Sequence, residues 1–119
     1  MDTLKLYLLG PPRVEVSGRL TTIERRKEMA ILAYLAMTDD AQRRDTLATL
    51  FWPEIAQHRA RANLSRDLSV LKHALHGEWL EIEREQVALR RGTGLWLDVE
   101  QFSRLCAIPS TIRSAVSMP

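Results

Sequence analysis

The chain has 119 residues, 45% apolar and 27% charged, which fits one globular domain with room for a real core. A net charge of +2 excludes a polycation, and the single cysteine, Cys106, excludes an internal disulfide framework or a multi-cysteine metal site. No apolar run approaches the length of a membrane span.

The start, MDTLKLYLLGPP, places Asp2 ahead of a short apolar run with no basic region. That is a poor signal peptide, so a cytoplasmic protein is expected. Leu4, Leu6 and Leu8 alternate with Lys5 and Tyr7, the pattern of a half-buried strand, which Gly10-Pro11-Pro12 stops. Arg13-Val14-Glu15-Val16 alternates again. Ser17-Gly18 signals a hairpin turn, and Arg19 to Ile23 predicts a third strand, so the chain opens on a small antiparallel meander.

Thr21-Thr22-Ile23-Glu24 matches a capping box ahead of a helix from Arg26 to Met37, with Met29, Leu32, Leu35 and Ala36 on one face. Thr38-Asp39-Asp40 closes it as a polar loop. Arg44 to Trp52 predicts a second, shorter helix with Leu47, Leu50 and Phe51 inward, ended by Pro53. A long third helix spans residues 56–76, and Gly77 terminates it. Trp79-Leu80-Glu81-Ile82 and Gln86-Val87-Ala88-Leu89 alternate on either side of Glu83-Arg84-Glu85, which predicts a β-hairpin. Gly92-Thr93-Gly94 then turns the chain into a last strand, Leu95-Trp96-Leu97. Residues 106–119 show no period and read as a loose tail.

The third helix carries most of the functional information. Ala60, Leu64, Leu68, Leu71 and Leu75 draw one apolar stripe, while Arg59, Asn63, Arg66 and Lys72 fall off it. Arg59, Arg61, Arg66 and Lys72 stand against Asp67 alone, so the basicity is local. A solvated surface helix has this pattern. So has a helix that docks on a core and enters a DNA major groove, where Arg pairs with guanine edges, Asn with adenine edges, and both hold phosphates.

The order of strands, three helices and a hairpin makes the fold class α+β, in the layout of an OmpR-type winged helix-turn-helix. Several segments are more specific. Leu8-Leu9-Gly10-Pro11-Pro12-Arg13-Val14, Arg25-Arg26-Lys27 leading into Ala33-Tyr34-Leu35-Ala36, Arg44-Asp45-x-Leu47, Phe51-Trp52-Pro53 and Ala60-Arg61-Ala62-Asn63-Leu64 stand in this order. They resemble the amino-terminal DNA-binding domain of SARP-type transcriptional activators. Leu95-Trp96-Leu97-Asp98 with Phe102 resembles that family's junction into a helical activator domain.

The resemblance implies a winged-helix domain over residues 1–104, with 105–119 a tail or the start of a truncated activator domain. The chain is then an excised domain or a shortened protein. It implies that the third helix lies in the major groove of promoter DNA and the hairpin is the wing. Short direct repeats, contact with RNA polymerase, and a monomer in solution that pairs on DNA are further implications. Asn63 and Arg66 match positions that face DNA, Arg44 matches a basic residue suited to a phosphate, and Arg61 holds backbone or packs inward.

The departures are informative. Ser65 and Val70 stand where the family often has arginine, and Arg43 takes a position where a Ser or Thr helix cap is common. The wing tip Glu83-Arg84-Glu85 is acidic on balance and should repel phosphate unless Arg84, Arg90 and Arg91 take the contact. The expected DNA-binding set is therefore Arg59, Arg61, Asn63, Arg66, Lys72, Arg43, Arg44, Arg90 and Arg91. Solubilising charge is the other reading for Arg43, Arg44, Arg90 and Arg91. Arg25-Arg26-Lys27 suits packing or intramolecular pairing equally well.

No enzyme signature is present: no glycine-rich phosphate loop, paired-carboxylate motif or HExxH, and Cys106 has no histidine base nearby. His73 and His76 have a metal-compatible spacing with no third ligand close in sequence, and no cofactor is expected. Trp52, Trp79 and Trp96 read as core. The competing functional reading is a winged helix used for protein interaction, suggested by the weak net charge, the acidic hairpin tip and Val70 on the exposed side of the third helix.

Overall fold

The computed structural model describes residues 3–99, apart from 39, 77, 78, 92 and 93. In chain order the elements are β1 (Leu4–Tyr7), β2 (Arg13–Val16), β3 (Arg19–Thr21), α1 (Arg26–Met37), β4 (Gln42–Arg43), α2 (Arg44–Phe51), α3 (Gln57–Ala74), β5 (Leu80–Ile82), β6 (Gln86–Leu89) and β7 (Leu95–Leu97). The class is α+β, with three helices and two small sheets among the described residues. The expectations for Gly77, Gly92-Thr93, Phe102, Cys106 and the tail lie outside the described residues.

The alternation at the start of the chain builds the first sheet, in the order β3-β2-β1-β7. Leu4 faces Val16 and Leu6 faces Val14 across the β1–β2 ladder, and these four side chains point into the core. Ser17 and Gly18, with φ of 50° and 82°, join β2 to β3 in a two-residue turn. Positive φ at both positions gives the turn a twist that matches the strands it joins. The expected antiparallel meander of β1, β2 and β3 forms, and a fourth strand whose pairing the sequence left open joins it. β7 lies parallel to β1, with Leu4 opposite Leu95 and Leu6 opposite Leu97. Asp98 locks that return: its carboxylate accepts from the N–H groups of Leu8 and Leu9, both at 2.9 Å.

The other face of this sheet carries Tyr7, whose ring lies 5.2 Å from that of Trp96 and 4.5 Å from the guanidinium carbon of Arg13. A hydrogen bond to Glu15, then burial, raises the Tyr7 phenol above its ordinary value. Trp96 thus packs outside the core, unlike the expectation. Trp79 is buried in it, and Trp52 is half-buried against it beneath the ammonium of Lys27.

Helix α1 starts at Arg26 without the capping box. Thr21 belongs to β3, and the cap residue, Arg25, makes no side-chain cap bond. The strand claims Thr21 before the helix can use it. The buried stripe runs through Glu28, Ile31, Leu32, Leu35 and Ala36, with Met29 half-buried at its edge. At the other end Thr38 closes the helix, its N–H and hydroxyl both donating to the Tyr34 carbonyl.

Helix α2 buries Leu47 and Ala48 and packs Phe51 on the core. Leu50, expected inward, is 41% exposed, because it projects away from the face those three residues share. The short strand β4, which the sequence did not announce, pairs with β6 in a second sheet ordered β4-β6-β5. Its two residues occupy the site where a helix cap for α2 was missed. All five stripe residues of α3 are no more than 1% exposed, so the longest helix is seated across one contiguous core shared with both sheets.

Candidate nucleic-acid interface

Seating α3 by its apolar stripe fixes what it offers to solvent. Asp67, its only acidic residue, lies on the buried side at 1% exposure. The charged side chains that α3 exposes are therefore cationic, Arg59, Arg61, Arg66 and Lys72, and the imidazoles of His58 and His73 are exposed beside them. Ala62, Ser65 and Ser69 sit exposed between these and leave room for a partner to approach closely. Asn63 is half-buried at the margin.

On one side α3 borders a groove of about 490 Å³ shared with the start of α2 and the β5–β6 turn. Its walls include Arg43, Arg44, Arg61 and Arg84 against Asp45 and Glu85. Four cations and two carboxylates leave the groove positive. Arg44 ties its three walls together. The backbone N–H of Arg44 donates to the Glu85 carbonyl at 2.9 Å, and its guanidinium donates to the Glu83 carbonyl at 3.2 Å and to Ser65 Oγ at 2.6 Å. Arg61 is paired by Nε with Asp45 at 2.6 Å. Among the described residues Arg43 and Arg84 have no hydrogen-bonding or ion-pair partner for their side chains.

On the opposite side Arg66 lies toward α1. Its Nε–H donates to Asp67 Oδ1 at 3.2 Å, and Arg25 Nη1 lies 3.9 Å from the same oxygen. Glu28 of α1 completes the cluster, itself only 3% exposed. Burial, then the charge and hydrogen bond of Asp67, hold its carboxyl above the usual range, against the opposing pull of Arg25 and Arg66.

The expected residues thus divide. Arg43, Arg44 and Arg61 meet in the groove beside α3, while Arg59, Asn63, Arg66 and Lys72 lie along the helix itself. Arg90 is exposed beyond the end of β6, its backbone bound to Trp79. Arg91 is drawn to α1, where its guanidinium donates to the Leu35 carbonyl at 2.9 Å and to that of Thr38. Glu28, Asp67 and Ser65 were not among the expected site residues. Asp67 carried a legible signal, since it falls three residues after Leu64 on the edge of the apolar stripe.

Among the described residues no helix is long and apolar enough to cross a membrane, and no group of three His, Cys, Asp or Glu side chains gathers as a metal site. No protein-family model and no curated protein matches the chain.

Proposed function

We propose that this chain is a winged-helix domain that binds double-stranded DNA sequence-specifically in the regulation of transcription. In this reading α3 enters the major groove, the β5–β6 hairpin is the wing, and Arg43, Arg44 and Arg84 approach the phosphate backbone. The observation that carries it is the face of α3, whose exposed charges are cationic and whose one acid is turned into the core. The segments that resemble the SARP-type activator domain support the same reading. They extend it to a cytoplasmic regulator of residues 1–104, without enzyme activity, that pairs on direct repeats and contacts RNA polymerase.

Phosphate contacts release counterions, so affinity for duplex DNA should fall by about 0.9 logarithmic units per unit of log salt for each phosphate neutralised. Titrating a labelled duplex at several salt concentrations measures that slope. A flat response removes the backbone contacts from the proposal. It would favour the second reading, a protein-interaction module, for which the exposed Val70 on α3 and Leu50 on α2 are the apolar anchors.

A further inference from the structure

Two carboxyl groups almost without solvent face each other where α1 meets α3. Glu28 is 3% exposed and Asp67 1%, so two nearly dry acids gather with the guanidiniums of Arg25 and Arg66 in one small cluster. Burial, then the charge and hydrogen bond of Asp67, raise the Glu28 carboxyl above the ordinary carboxylate range. The charged groups around the pair are Arg25 and Glu24 from the β3–α1 connection and Arg66 from α3 itself. Asp67 Oδ1 takes the Nε of Arg66 and lies close to Arg25.

We propose that the buried acids Glu28 and Asp67 act as one unit that positions the Arg66 guanidinium, with Asp67 as the positioning residue. Its Nε–H is held by Asp67, which leaves the terminal nitrogens for a phosphate or a base edge. With Glu28 neutral the two guanidiniums face a single buried carboxylate, that of Asp67. When Glu28 ionises, a second buried negative charge draws Arg66 and Arg25 inward. The folded chain holds the Glu28 proton more tightly than the unfolded chain does. Stability therefore falls as pH rises from the ordinary carboxylate range through the raised value of Glu28. Only what Arg66 then touches rests on the DNA-binding reading.

The test follows the Arg66 Nε–H resonance by NMR, together with melting temperature, across pH in the wild type, Glu28→Gln and Asp67→Asn. Gln keeps a donor for Asp67 and removes the titration. The resonance should be protected in the wild type and in Glu28→Gln and lost in Asp67→Asn. It should shift with pH in the wild type and stay flat in Glu28→Gln, and melting temperature should do the same. An unchanged resonance in Asp67→Asn overturns the proposal, as do wild-type and Glu28→Gln profiles that superimpose. If Asp67→Asn does not fold, the comparison with Glu28→Gln decides alone. On a duplex enriched by the wild type, Asp67→Asn should bind about tenfold more weakly, within the range of one lost base contact. A wild type that enriches no duplex counts against the DNA reading, and the resonance still decides the pair.

Discussion

A guanidinium that already holds a buried carboxylate cannot be removed without leaving that acid behind. Arg66→Ala should therefore lower stability by about 1–3 kcal/mol, since of its two cationic partners Asp67 would keep only the more distant Arg25. Arg59→Ala should leave the melting temperature within error, because among the described residues that side chain has no partner. Thermal unfolding of the two variants in one buffer checks the contrast. Equal melting temperatures would mean that Arg66 does not compensate Asp67. The sequence shows which arginines leave the apolar stripe, because that depends only on helical period. It does not show which of them are engaged. Arg44 reaches Ser65 and Glu83, and Arg91 reaches Leu35, across segments that local pattern does not connect.

Among the elements, the longest and most periodic was the most legible. The α3 stripe alone determines which face is buried, and 18 residues give it enough turns to be unambiguous. Short elements were harder. Eight residues of α2 left Leu50 on the wrong side, and β4, two residues long, exists only because β6 lies beside it. The parallel return of β7 was equally illegible, since it depends on β1 and on the Asp98 carboxylate rather than on its own three residues. The C-terminal end of α1 supplies a prediction at this scale. The Leu35 and Thr38 carbonyls accept from Arg91, so Arg91→Ala should weaken the helix end by about 1 kcal/mol. Hydrogen exchange in the last turn of α1 should rise, with the salt slope of DNA affinity unchanged. A reduced slope would return Arg91 to the phosphate contacts.

For the whole molecule, one apolar core holds α3 between a positive groove on the hairpin side and a buried acid cluster on the α1 side. Net charge understates this arrangement, because some of the carboxylates that enter the total are buried, like Asp67, or paired, like Asp45. The fold class was therefore legible from pattern, while the charge seen by a partner depended on packing. DNA reading by α3 is tested most directly by selection from a random duplex pool at near-physiological salt, with wild type and Arg59→Ala side by side. The wild type should recover a short motif, and Arg59→Ala should recover it weakly or with relaxed sequence at one position. A folded wild-type chain that enriches no motif would contradict sequence-specific recognition through this helix.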